Sequence, residues 1–218
     1  MIHDNGFDGS RIVSIPTGID LEKFNPTKIR ALIGKKGFSV GTVSILRSWK
    51  GHYYLIEAVP EILKVVPEAH FIIVGDGLHR DTIARHIRQL SLEKKILMAG
   101  HREDIPEILA SLDLIVHPSY ANEGVPQSIL QAMAMERPVV ATDTGAVSEA
   151  VLDGRTGFLI PPKNPKAIAE KVIELYRSPE LRIQFGREGR KLVEKEYSLD
   201  RMLDKMEALY QQVCSEGR

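Results

Sequence analysis

The 218-residue chain is poor in cysteine and tryptophan and carries no net charge, and each shortage removes a class of explanation. One cysteine, Cys214, rules out an internal disulfide and suits a reducing cytoplasm, the expected location. Lys plus Arg number 29 and Asp plus Glu number 29, so no global field draws the protein to nucleic acid or to an anionic membrane. No apolar run is long enough to cross a bilayer, and the polar HDNGFDGS after Met1 and Ile2 does not make a signal peptide. There is no H-x-E or C-x-x-C ligand set. The seven histidines are scattered, and His79 and His86 would stand about 10 Å apart along a helix, too far to share an ion, so no metal is expected. Neither Ser119 nor Ser128 sits in a G-x-S-x-G elbow. Internal repeats and low-complexity stretches are absent too.

What is present is a regular alternation of apolar runs with helical patterns, the signature of a doubly wound parallel sheet. Strands are expected at Val40–Ile45, His70–Val74, Lys95–Ala99, Leu112–His117, Pro138–Thr142 and Gly157–Ile160. Helices are expected at His52–Val66, Arg80–Leu90, Ile105–Ser111, Gln127–Met135 and Val147–Val151, and from Pro165 onward the pattern is purely helical. The fold class is therefore α/β, a Rossmann-like doubly wound sheet with a helical C-terminal tail. Ligands of such sheets bind outside the C-terminal strand ends.

Chemistry-bearing residues fall at those ends. In EGVPQSILQ, Glu123 precedes a helix that should open near Pro126, whose missing N–H costs nothing there. The backbone N–H groups of Gly124, Val125, Gln127 and Ser128 would face a diphosphate, with the positive end of the helix dipole behind them. Gln131 lies one turn further in, where its amide reaches hydroxyls. In LRSWKGH, Lys50 and Arg47 are candidate cations for a leaving group that gathers negative charge; both also read as solvated loop cations. Gly75 and Gly77 of IVGDGLHR fail the dinucleotide fingerprint, since Arg80 stands where its last glycine belongs. On their own they read as a turn that needs glycine's positive φ. Asp104 reads as the cap of the helix at Ile105.

Several of these segments together resemble the C-terminal, donor-binding half of retaining glycosyltransferases of the two-domain GT-B type (group 1, family 4). Members carry a Glu, seven residues, a second Glu, then A-M-A-x-G-x-P-V-V-A-T and D-G-x-T-G-x-L-V. Glu123, Ala132, Met133, Ala134, Pro138, Val139, Val140, Ala141, Thr142, Asp153, Gly154, Thr156, Gly157 and Leu159 match. Gln131 replaces the second Glu and Glu136 the usual Gly. Lys50-Gly51 aligns with the family's Lys-Gly, but the usual Arg position falls on Ile45, so Arg47 would reach the phosphates from a shifted place. IVSIPTGIDLEKFNP, residues 12–26, matches the family's lead-in with Thr17 for Asn. The likeness runs from about Arg11 to Val213.

The resemblance implies catalytic roles for Lys50, Arg47 and Glu123. It implies ribose binding by Gln131, a base-side loop at His101 and Arg102, a cleft border at Gly75 and Gly77, and a loop-shaping His117-Pro118-Ser119 turn. It implies a nucleoside-diphosphate sugar (UDP- or GDP-linked) as donor, no cofactor, and an N-terminal acceptor domain or companion half that this chain lacks. The chain would then be a fragment, a truncated reading frame or half of a split enzyme, inactive in transfer when alone. Peripheral membrane association would come only through the full enzyme. The expected division is residues 1–26 as linker remnant and lead-in, 27–196 as the nucleotide-sugar domain and 197–218 as an amphipathic helix. That helix bears Leu199, Met202, Leu203, Met206, Leu209, Tyr210 and Val213 in one stripe, which either packs on its own domain or supports self-association, with Ser198 as its N-cap. Two other readings stay open: a related GT-B enzyme such as an epimerase or phosphorylase, and a catalytically silent nucleotide- or partner-binding module.

Overall fold

A computed structural model describes residues 12–32, 37–121 and 123–216. Met1 to Gly9, expected as linker remnant, lie outside the described residues. Among the described residues six strands form one sheet: β1 (Ser39–Val43), β2 (His70–Val74), β3 (Ile96–Gly100), β4 (Leu114–His117), β5 (Val139–Thr142) and β6 (Gly157–Ile160). Their order is β3-β2-β1-β4-β5-β6 and every pairing is parallel. This is the doubly wound arrangement expected, and the order reverses between β1 and β4, the switch point where such sheets open a crevice.

Among the described residues eight α-helices connect and flank the strands: α1 (His52–Val65), α2 (Arg80–Gln89), α3 (Ile105–Ser111), α4 (Gln127–Ala134), α5 (Val147–Ala150), α6 (Pro165–Arg177), α7 (Pro179–Glu196) and α8 (Leu199–Glu216). Strand residues alternate between two cores because successive side chains point to opposite faces. Ile73 packs with α1, α2 and α6, whereas Ile72 and Val74 pack with α3, α4 and α5. Ala132, Met133 and Ala134 are fully buried, and Met133 meets α7 at Gly189, where an added Cβ would come within 3.2 Å. The A-M-A run thus packs α4 against α7, with the long Met133 side chain lying over Gly189.

Some bounds differ from expectation. β1 stops at Val43 because Leu46 turns its N–H to the Asp76 carbonyl, 2.9 Å away, drawing the chain toward the next loop. β4 starts at Leu114, since Leu112 ends α3 and the Asp113 carboxylate accepts from the Ser39 N–H at 2.9 Å. The D-G-R-T-G segment is a turn that closes on itself: Asp153 Oδ1 accepts from the Leu159 N–H and Thr156 Oγ1 from the Leu152 N–H, both at 2.9 Å.

The lead-in and the tail meet. The Ile19 N–H donates to the Tyr197 carbonyl at 2.8 Å and the Leu199 N–H to the Ile19 carbonyl at 2.9 Å. The Ser198 hydroxyl caps α8 by accepting from the Arg201 N–H at 3.3 Å. The α8 stripe divides: Met202 accepts from the Gly18 N–H at 3.2 Å, while Leu199, Leu203, Tyr210 and Val213 are exposed. Among the described residues no helix is long and apolar enough to cross a membrane.

Candidate functional site

The two loops at the switch point, after β1 and after β4, are laced together. A 3-10 turn at Ser48–Lys50 ends in Gly51, whose φ of 70° sends the chain directly into α1. Across from it, the Trp49 carbonyl accepts from the Tyr120 N–H at 2.8 Å and from the Ser119 hydroxyl at 2.9 Å. That contact brings Lys50 to Glu123: Nζ donates to Oε1 at 2.7 Å, with the two side chains only 16% and 14% exposed. Ser119 Oγ lies 2.5 Å from the same oxygen, its one proton shared between this carboxylate and the Trp49 carbonyl. The Glu123 backbone is held from the other side, where its carbonyl accepts the Ala146 N–H at 2.8 Å. The bonds to this carboxylate among the described residues all fall on Oε1.

Burial alone would push the Glu123 carboxyl up; the Lys50 ammonium and the Ser119 hydroxyl outweigh it, and the group is held below the ordinary carboxylate range. Two buried imidazoles lie beneath the pair. His117 Nε2 stands 3.9 Å from Glu123 Oε1, and His52 Nε2 shares a hydrogen bond of 3.0 Å with Ser44 Oγ. Burial drives both rings down to about 4. For His117 the Glu123 charge opposes that fall and Lys50 adds to it; for His52, His117, Lys50 and His79 all add to it. Both rings are therefore neutral at pH 7, and Lys50 is the cation of this assembly.

α4 opens beside Glu123. Pro126 is its extended N-cap, and the Ile129 and Leu130 N–H groups both return to the Pro126 carbonyl. The helix itself leaves the Gln127 and Ser128 N–H groups without carbonyl partners. Gly124 is exposed with open space about it, Val125 rests on the core, and the Gln127 side chain donates to the Thr17 carbonyl at 3.0 Å, tying the lead-in to the helix start. Gln131 is half-buried one turn along.

A second cleft, about 430 Å³, opens beside β1, β2 and β3 and is lined by Ser44, Ile45, Gly75, Asp76, His101 and Arg102 among others. Gly75 and Gly77 serve packing directly: a Cβ on either would strike the Ser44 or Leu46 carbonyl. Arg102 grips Asp104 with two bonds, Nε to Oδ1 at 2.8 Å and Nη2 to Oδ2 at 2.5 Å. Asp104 occupies the N-cap position of α3 but makes no side-chain cap, a correction to the expected capping role: Arg102 has claimed the carboxylate, and this bond lowers its pKa. Arg47 stands apart from these groups. Its guanidinium lies 5.6 Å over the Trp49 ring and lines a different cavity, between α1 and α2. Among the described residues no cluster of three or more His, Cys, Asp or Glu could hold a metal ion.

Residues 26–192 match the family described as Glycosyl transferases group 1. The chain belongs to that family. It is 30% identical over 213 residues to the UDP-Gal:alpha-D-GlcNAc-diphosphoundecaprenol alpha-1,3-galactosyltransferase of Escherichia coli, covering 93% of this chain and 54% of that one. Anabaena HepE, solved with UDP and glucose, superposes with a TM-score of 0.87 at 26% identity over 96% of this chain and 59% of that one. The C-terminal domain of the group 1 glycosyl transferase LpcC from Francisella tularensis superposes with a TM-score of 0.65 at 28% identity, over 89% of this chain and 100% of that domain. The chain spans about half the length of the first relatives it matches.

Within this group 1 glycosyl transferase chain, the departures from the family pattern acquire places. Glu136 keeps the left-handed backbone that its glycine counterpart would adopt freely, with φ at 56°. Ile45, at the usual arginine position, is 48% exposed on the wall of the second cleft. Sequence reasoning placed Ser119 in a loop-shaping turn but missed its bond to Glu123, and it missed His52 altogether. The one signal for buried polar chemistry was a histidine ending the apolar run LIVH.

Proposed function

We propose that this chain is the donor-binding half of a retaining glycosyltransferase of the GT-B type, acting on a nucleoside-diphosphate hexose. The observation that carries the reading is the Lys50–Glu123 pair at the switch point, set beside the open N-terminus of α4. A diphosphate there meets the N–H groups of α4 and the Lys50 ammonium, which stabilise charge as it builds on the leaving group. Glu123, relieved of Lys50, then offers its carboxylate to hydroxyls of the sugar. The base lies along His101 and Arg102, Gly75 borders its cleft, and Gln131 takes the ribose. The likeness to HepE and to the galactosyltransferase favours UDP over GDP. Transfer requires the acceptor half, so the isolated chain binds the donor without transferring hexose. This work is assigned to the cytoplasm and to protein groups alone, without metal or cofactor.

Calorimetry with UDP and with uridine tests the phosphate grip. Lys50→Ala is expected to weaken UDP about 10- to 100-fold, the range for losing one charge-assisted contact, while uridine affinity stays put. Part of that loss is Glu123 left facing the phosphates, so Lys50→Ala with Glu123→Gln should recover some of it. Unchanged UDP affinity in Lys50→Ala would sink the assignment.

Gln131 has a separate test. An amide accepts and donates to ribose hydroxyls where a carboxylate only accepts, so Gln131→Glu is expected to change UDP affinity by about 1 kcal/mol or less. Gln131→Leu should cost more, and only for UDP, not for its 2′,3′-dideoxy analogue. Equal losses on both ligands would remove Gln131 from the ribose and favour the silent-module reading, which Gln131 and Ile45 motivate by departing from the family pattern.

A further inference from the structure

A cavity of about 250 Å³ lies between the N-terminal turns of α1 and α2, on the face of the sheet opposite α4. It shares no lining residue with the cleft beside Arg102. Arg47, His52, His79 and His86 contribute to its wall, and no carboxylate does among the described residues. The nearest carboxylate stands behind the wall: Glu57 lies 2.8 Å from His86 Nε2 and bonds the Tyr53 side chain, which leaves Arg47 and His79 as the place for an anion. Arg47 has no ion-pair partner among the described residues, and the first N–H groups of two helices of 14 and 10 residues add positive potential nearby. His52 forms part of the floor: it is 2% exposed, its Nε2 is used by Ser44, and its Nδ1 is enclosed by protein.

The rest of the wall is aromatic. Tyr53 stacks on His86 with centroids 4.1 Å apart and planes 19° apart, and Tyr120 meets Tyr54 edge-on at 5.9 Å. A bare oxyanion would leave these rings uncovered, and the volume suits one ring-sized ligand rather than a nucleotide. We propose that this cavity is a second binding site, separate from the donor cleft, that takes an anionic monosaccharide. The ring lies against the tyrosine side chains, and the carboxylate or phosphate meets Arg47 and His79.

Titration calorimetry on this chain, saturated with UDP so that the donor cleft is filled, provides the test. The probes are glucuronate, glucose 6-phosphate, glucose and inorganic phosphate. At least one anionic sugar is expected to bind about tenfold or more tighter than both glucose and phosphate, and the arm that binds names the anion. Arg47→Gln and His79→Ala should each weaken that sugar about tenfold while melting at the wild-type temperature. If one variant melts early, the other and the probe ranking still decide. Equal affinity for the anionic sugar and glucose, or for glucose 6-phosphate and inorganic phosphate with no glucuronate binding, overturns the proposal. So does competition by UDP, or a fall in UDP affinity on Arg47→Gln, which would return Arg47 to the diphosphate.

Discussion

Lowering the pH from 7 to 5 is expected to destabilise the fold by roughly 4 kcal/mol, about 2 kcal/mol from each of two histidines whose folded pKa lies near 4 against 6.5 when unfolded. His52 and His117 are 2% and 3% exposed, so solvent cannot rescue the charged rings. Part of that depression is charge: Lys50 disfavours a proton on either ring, and His117 disfavours one on His52. In the unfolded chain both rings take a proton as soon as the pH falls below 6.5, whereas the fold refuses until about 4. The stability they contribute is complete above the upper value and drains away toward the lower one. Glu123 belongs to a later stage, since its folded pKa is depressed and its contribution is lost only as pH falls through the carboxylate range. Urea titrations at pH 7, 6 and 5 therefore isolate the histidines. A His52→Gln, His117→Gln double variant should be less stable at pH 7 but nearly flat across the window. A flat wild-type profile would mean that the rings accept protons in the fold and that the site is wetter than its packing indicates.

The same residues show where a linear reading reaches its limit. β2 as HFIIV, β6 as GFLI and α3 as IPEILAS have the expected bounds, because dense apolar runs between turn residues leave little choice of conformation. β1 was expected to start one residue late and to run two residues past its end because Ser44 and Ile45 extend the pattern, while a bond from Leu46 to Asp76 in another loop decides where the strand ends. At the site, Lys50 and Glu123 were legible from their own neighbourhoods, a lysine before glycine and an acid before a helix start. Their contact was not, because it depends on loops 73 residues apart meeting over the switch point. Asp104 shows a purely local competition: an Asp before a helix reads as a cap, yet an arginine two residues earlier offers two charge-assisted bonds against one. Arg47 was read by charge, and the nearby Trp49 ring holds it instead toward the α1–α2 cavity.

Gly51→Ala is expected to cost the fold about 3 kcal/mol or more and to weaken UDP binding with it, although position 51 offers no side chain to any ligand. Two costs coincide there. The first is conformational: φ is 70°, a left-handed backbone that costs an L-residue about 1–2 kcal/mol. The second is steric, since a Cβ at Gly51 would lie 1.8 Å from the Pro118 carbonyl oxygen and 2.7 Å from its carbon. That carbonyl is backbone in the loop that carries Ser119 and Glu123, so relief requires the two loops to part. Parting them breaks the bonds from Ser119 and Tyr120 to the Trp49 carbonyl and draws Lys50 away from Glu123. Gly154→Ala supplies the control, because φ there is 69° and nothing lies within 4 Å of an added Cβ. It should show the conformational cost alone and leave UDP affinity unchanged. The difference between the two variants measures how tightly the loops are pressed together. Equal destabilisation with intact UDP binding in both would show that the two loops yield without disturbing the pair, and that Lys50 and Glu123 hold each other without help from the turn beneath them.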